Sequence, residues 1–280
     1  MDMISSSSRE QVAVFSNRPD SVVDYLKKIY QHRGLIWVFA VRDLKVKYSQ
    51  TILGISWSLV QPLTALLIFT FLFGYVLNWT AGELPYSLYV LSGLLGWNFF
   101  SYVVYSGTSS VQDSSHIIRK VYFPKSILPL SKTVVAFIEL MLSFVLLIPL
   151  MIYFGYGLSW RMLFLPLIIL FNALCGLAPV FWVAALGYRK RDLFHLLPFV
   201  VYFGIWLTPV FFVTKMLPKE VSDFLVINPM ASVVDFWRWM LFGFGTFQGT
   251  WIISFLIVLL LCCGGMFYFH RKEGEFSDHA

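Results

Sequence analysis

The chain has 280 residues, of which 58% are hydrophobic and only 13% charged, whereas a soluble domain of this size carries about a quarter charged residues. Its apolar residues come in long blocks, not in alternation with polar ones, so it reads as an all-α integral membrane protein. The formal charge of +6 has meaning only once it is divided by loop, and the three cysteines, Cys175, Cys262 and Cys263, all lie in apolar blocks, which argues against a disulfide framework or a thiolate metal site.

In chain order, residues 1–34 form a polar N-terminal tail with SSSS at 5–8 and no apolar core of a secretory signal. Residues 35–50, LIWVFAVRDLKVKYSQ, predict an amphipathic helix. Trp37, Val38, Val41, Leu44 and Tyr48 share one face, Arg42, Lys45 and Lys47 lie on the other, and Asp43 and Lys47 are spaced as an i,i+4 pair. Such a basic helix either lies on an anionic membrane surface or meets a partner. Residues 51–270 hold six blocks of spanning length, about 52–77, 87–107, 133–154, 162–187, 193–213 and 251–270, the second and fifth being rich in Ser, Gly, Tyr and Pro.

Two connections stand out. In 108–132, the stretch SSHIIRKVYFP has Ser114 or Ser115 to cap a short helix and Pro124 to stop it, and its apolar residues are too many for a solvated loop. In 214–250, Val221–Ile227 and Met230–Phe242 predict two short helices, the second gathering Phe236, Trp237, Trp239, Met240 and Phe242 around Asp235 and Arg238. Such a helix would lie at the membrane interface, as a belt anchoring the last span or as a lid over a pathway. Residues 271–280 form a second polar tail.

With six spans, 17 Lys and Arg fall on the side of the termini and four on the other; leaving out Arg9, Arg18, Lys27 and Lys28 lowers the first figure to 13. The positive-inside rule then places both termini in the cytoplasm.

No Gly-Lys dipeptide occurs, so no P-loop is present, and there is no H-E-x-x-H, no Cys/His cluster of metal spacing and no nucleophile beside a base. An enzyme is therefore poorly supported, and nothing calls for a nucleic acid. Glu139 is the one clear carboxylate within a span, either a group for ion coupling or a protonated or paired side chain at a helix interface. Phe199, Tyr202, Phe203 and Trp206 share a face of the fifth span, Phe69 and Phe73 lie one turn apart in the first, and Trp97, Phe100 and Tyr105 accompany Asn98 and Ser101 in the second. Such rings serve packing and lipid contact, or else line a path on which sugar rings stack weakly enough to slide.

The segments RDLKVKYSQTILGISWSLVQP (42–62), LSGLLGWNFFS (91–101), IIRKVYFPKSILPLS (117–131), GYRKRDLFHLLPF (187–199) with LTPVFF (207–212), and INPM (227–230) follow one another in an order that resembles the membrane subunit of bacterial ABC exporters for O-antigen, capsule and, more distantly, teichoic acid. The resemblance covers nearly the whole chain. It implies a homodimer in the bacterial inner membrane, paired with two copies of a separate ATPase that holds ATP and Mg, and a lipid-linked polysaccharide as cargo. It implies an interface helix over 35–50, where Arg42, Lys45 and Lys47 lie, and a coupling helix near 115–124, carrying Ser115, His116, Ile117, Arg119, Lys120 and Tyr122. It further implies outer gate helices near 218–242 with Pro229, Phe236, Trp237 and Trp239, and a channel lined by the first and fifth spans. Helical spacing then selects Trp57, Gln61, Phe69 and Phe73 from the first and Phe199, Tyr202, Phe203 and Trp206 from the fifth. On this view Gly54 gives room for the turn into the first span, and Pro62 leaves a carbonyl without its helical donor. The rivals are an exporter of drugs, small lipids or teichoic acid within the same superfamily, an ion-driven flippase that depends on Glu139, and a membrane enzyme acting on lipid-linked sugars.

Overall fold

A computed structural model describes residues 21–187, 192–214, 217–225 and 227–274. The tail before residue 21, Tyr188–Arg191 in the fourth connection, Lys215 and the tail from residue 275 lie outside the described residues. Among the described residues every regular element is helical. Five helices are long and apolar enough to cross a membrane. The first runs from a 3-10 turn at Gly54–Ser56 through α3 (Trp57–Phe69) into a π-helical stretch, Thr70–Val76. The others are α4 (Tyr86–Asp113), α6 (Ile127–Tyr153), α7 (Leu165–Gly187, preceded by a 3-10 turn at Trp160–Phe164) and α11 (Gly249–Lys272).

The expected fifth span over 193–213 is not one continuous helix. Helix α8 (Asp192–Gly204) gains a 3-10 turn, Ile205–Leu207, and stops. At about 1.5 Å per residue this is roughly 24 Å of helix, against a hydrocarbon layer of about 30 Å. The cause is local. Thr208 precedes Pro209, whose ring disfavours the helical region for the residue before it, and Thr208 adopts φ −123°, ψ 134°. Beyond the break lie α9 (Lys219–Leu225) and α10 (Pro229–Phe242).

Helix α10 corrects a second expectation. It does not lie on a surface: eleven of its fourteen residues are buried, and Trp237 and Arg238 are fully enclosed. A helix apolar on all sides gains most from packing all round, and α10 finds that place against α4, α7 and α11. Helix α4 is the centre of the bundle, packed also on α6 and α7.

The N-terminal pair, α1 (Val22–Gln31) and α2 (Arg33–Tyr48), divides the properties expected of 35–50 alone. The two-faced helix is α1, with Tyr25 buried and Val23, Leu26 and Tyr30 exposed at helical spacing. Helix α2 instead buries Phe39 and Ala40 and leaves Trp37 and Val38 exposed. Phe39 belongs to a small core with Ile118, Phe123, Ile127 and Leu128, below the start of α6. The expected Asp43–Lys47 pair is replaced by bonds across to α6: Lys132 Nζ lies 2.6 Å from Asp43 Oδ2, and Lys47 Nζ 2.6 Å from Glu139 Oε1. The partners on α6 are seven residues apart, two turns of one face.

Candidate functional site

The broken segment after α8 poses a problem that the structure solves with side chains. Irregular backbone in an apolar bundle needs internal hydrogen-bond partners. Tyr86 Oη donates to the Phe211 carbonyl at 2.5 Å, Tyr89 Oη to that of Phe212 at 2.8 Å, and Arg238 Nη2 to that of Val210 at 2.8 Å. The same guanidinium reaches the Tyr89 carbonyl at 3.3 Å and Asp235 Oδ1 at 3.3 Å, and lies 3.4 Å over the Tyr89 ring. Gly93 allows the approach, since a Cβ there would stand 2.8 Å from the Val210 oxygen. Asn228 completes the frame. Its Oδ1 accepts from the Met230 N–H and so caps α10, while its Nδ2 donates to the Leu207 carbonyl and to Thr208 Oγ1. The motifs LSGLLGWNFFS, LTPVFF and INPM thus meet at one place.

On this frame stands a wall of rings. Phe211, itself buried, stacks on Phe69 at 4.9 Å and Phe73 at 5.4 Å and meets Trp206 edge-on at 4.8 Å. The row continues along α8 through Phe199, Tyr202 and Phe203, with Phe199 4.6 Å and Tyr202 5.2 Å from Phe203. Phe199, Tyr202, Phe203 and Trp206 are each about half exposed or more, so they present an open face. Six expected channel residues therefore fall into two ring clusters: Phe69, Phe73 and Trp206 around Phe211, and Phe199, Tyr202 and Phe203 along α8. Trp57 is exposed, and among the described residues it joins no ring cluster.

Gln61 lies elsewhere, in a cavity of about 400 Å³ between α3, α4 and α6. Its wall includes Ser58, Asn98, Ser101, Tyr102, Tyr105, Ser143, Lys47 and Glu139. Glu139 is paired: Oε1 accepts from Lys47 Nζ and, at 2.7 Å, from Tyr48 Oη. Burial and then the Glu139 carboxylate push the Tyr48 phenol up, so it stays neutral and donates.

The residues expected to face an ATPase gather around the base of α6. Arg42 is held by Asp43, Nη2 to Oδ1 at 2.7 Å, and Lys47 by Glu139, while Lys45 is exposed. Ser115, His116 and Ile117 form a single helical turn, α5 (Ser115–Ile118), with Ile118 anchored in the small core and His116, Arg119, Lys120 and Tyr122 outward. Neither serine caps this turn through its side chain. A cluster not expected from sequence joins the same region: Tyr25 Oη lies 2.9 Å from Ser126 Oγ and 2.8 Å from Glu273 Oε2, and its ring stacks 3.8 Å from that of His270. Burial first, and Glu273 second, raise the Tyr25 phenol, which therefore remains a donor. Nothing short of the fold relates residues 25, 126 and 273.

Of the residues expected at an outer gate, Pro229 opens α10 in its first turn. Phe236 stacks on Trp251 at 5.3 Å, Trp239 meets Phe164, Trp251 and Phe247, and Trp237 packs beside Gly96. All three rings point into the bundle and serve its packing.

The profile of the ABC-2 type transporter family matches residues 34–242. The chain belongs to that family. Individual relatives match over most of their length as well. The O-antigen export system permease protein RfbA of Myxococcus xanthus is 29% identical over 215 residues, covering 76% of this chain and 82% of that protein. The protein of the same name from Klebsiella pneumoniae is 27% identical over 250 residues, 87% of this chain and 94% of its own length. The polysialic acid transport protein KpsM of Escherichia coli is 22% identical over 205 residues, 71% and 77% respectively. The ABC-2 match takes in α2, the clamped break and all of α10, and it ends before α11.

Proposed function

We propose that this ABC-2 chain is the transmembrane subunit of an ATP-driven exporter that moves a lipid-linked surface polysaccharide, of O-antigen or capsule type, across the bacterial inner membrane. The observation that carries the proposal is the aromatic wall. Phe199, Tyr202, Phe203 and Trp206 follow one another at helical spacing and are each about half exposed or more. Sugar C–H faces stack on such rings with little energy per unit, so a polymer is guided without being held. The relatives named for O-antigen export, matched over most of their length, support the same cargo.

In this reading two copies of the chain face each other across the wall. Each is served by a partner ATPase that holds ATP and Mg²⁺, and both termini lie in the cytoplasm. ATP-driven closure of the partners favours one arrangement of the dimer over another, and that difference in affinity moves the cargo. The partner surface is the base of α6 with α5 and α2. Because α2 is tied to α6 by Asp43–Lys132 and Lys47–Glu139, a displacement of one carries the other. Helix α3 hangs on this body through a short joint in which Gln50 and Gly54 have φ of 60° and 54°.

Deletion of the gene, scored by surface glycan, and purification of the tagged chain from the producing cell, scored by an accompanying ATPase, test the proposal. Loss of the glycan and recovery of the ATPase are expected, and unimpaired surface glycan in the deletion strain refutes it. The ion-driven rival needs a free, titrating Glu139, whereas that carboxylate is engaged by Lys47 and Tyr48. Export retained in Glu139→Gln removes that rival.

A further inference from the structure

Three helices bring polar residues to one cavity. Helix α3 contributes Ser58, Gln61, Pro62 and Ala65; α4 contributes Leu95, Asn98, Phe99, Ser101, Tyr102 and Tyr105; α6 contributes Ala136, Glu139, Leu140 and Ser143. The sets on α3 and α6 follow the i, i+3, i+4, i+7 pattern of a single helix face, and α4 turns a broader face to the cavity. Polar side chains within spans are costly and need a use. Among the described residues the side-chain amides of Gln61 and Asn98, both on exposed residues, make no hydrogen bond to another protein group. Pro62 adds an acceptor, for it has no N–H to give to the Ser58 carbonyl. The volume of about 400 Å³ suits a small organic ligand, for which pockets run from about 300 to 1,000 Å³.

The charges select the ligand class. Lys47 and Glu139 are the charged residues of the wall, and they neutralise each other at 2.6 Å. A phosphate or diphosphate would find its one cation already taken and a carboxylate beside it. A neutral, hydroxyl-rich group finds two unengaged amides, hydroxyls of Ser and Tyr, a carboxylate that can accept further bonds, and two phenol rings. We propose that this pocket binds an uncharged sugar unit of the exported glycan, apart from the aromatic wall. The proposal rests on the polysaccharide reading and adds a recognition site to it: the wall guides, and the pocket distinguishes one sugar from another through hydrogen bonds, which reject a unit lacking the matching hydroxyl.

The test uses the full chain with its ATPase in the producing cell, and the cell's own lipid-linked glycan as probe. A photo-crosslinking benzoylphenylalanine replaces Ser101 in the pocket, Trp206 on the wall, or Val145, an exposed α6 residue in neither. Tyr105 serves as a second pocket position should the Ser101 variant fail to accumulate. Adducts bearing glycan are expected from the pocket and wall positions and not from Val145. Adding Gln61→Leu and Asn98→Leu together should lower the pocket yield about ten-fold while the wall yield changes less than two-fold. Adducts at Trp206 with none at Ser101 or Tyr105 overturn the pocket and leave polysaccharide export standing. Adducts at neither site, in cells that still display glycan, overturn both. A pocket adduct with the mass of a phospholipid and no sugar overturns the choice of ligand.

Discussion

Helices α8 and α10 are of nearly equal length, both apolar and both rich in rings, yet they meet opposite surroundings. Helix α8 buries only Val201, whereas α10 buries eleven of its fourteen residues. Burial, not aromatic content, separates the two. The rings of α10 fill the bundle and hold it together. Those of α8 are mostly exposed, and in the proposed reading they face the cargo. Substitutions in α10 should therefore act through stability, and those in α8 through transport.

The largest effect is expected from Arg238→Ala. It strands the Tyr89 and Val210 carbonyls in the interior and leaves the partly exposed Asp235 without its partner, at a cost of about 3–5 kcal/mol. Thermal unfolding in detergent and the yield of monodisperse protein measure it, and a loss under 1 kcal/mol breaks the comparison. Next comes Gly93→Ala, whose methyl meets the Val210 carbonyl at 2.8 Å and should cost about 1–3 kcal/mol by the same assay. Asn228→Ala removes the cap of α10 and its bonds to Leu207 and Thr208, for about 1 kcal/mol. Asn228→Asp keeps the cap acceptor and should recover part of the loss. At the bottom of the scale, Tyr202→Ala should change stability by less than about 0.5 kcal/mol, since the ring is exposed. Its surface glycan should nevertheless fall severalfold, and an unchanged glycan level would make α8 a lipid-facing helix and nothing more.

Much of the bundle was legible from composition. Five spans lie within a few residues of the apolar blocks, with α4 and α6 each about one to two turns longer than expected. The break was signalled by Thr208-Pro209 but overridden by the apolar run around it, for hydropathy counts side chains and not backbone partners. The clamp was not legible. Arg238 and Asp235 stand on one turn, as an interfacial pair would, and only the tertiary fold shows that the guanidinium serves residues 89 and 210. Within the expected channel set, Phe69, Phe73 and Trp206 meet as helical spacing suggested, but through Phe211, which a face count on α8 cannot reach. Gln61 was grouped with Trp57, and the structure separates them. Its companions in the cavity include Asn98 and Ser101, read from sequence only as neighbours of the rings, Tyr105, read as one of those rings, and Tyr102, which the sequence reading did not single out.

The clamp also sets an order of assembly. Tyr86, Tyr89 and Gly93 are synthesised well before the segment they support, so α4 can stand in the membrane as a template when residues 208–213 emerge. Arg238 arrives last and joins the break to the template from the opposite side. A nascent chain released between residues 213 and 238 would hold the break by its two tyrosine hydroxyls alone, with the Val210 carbonyl unpaired.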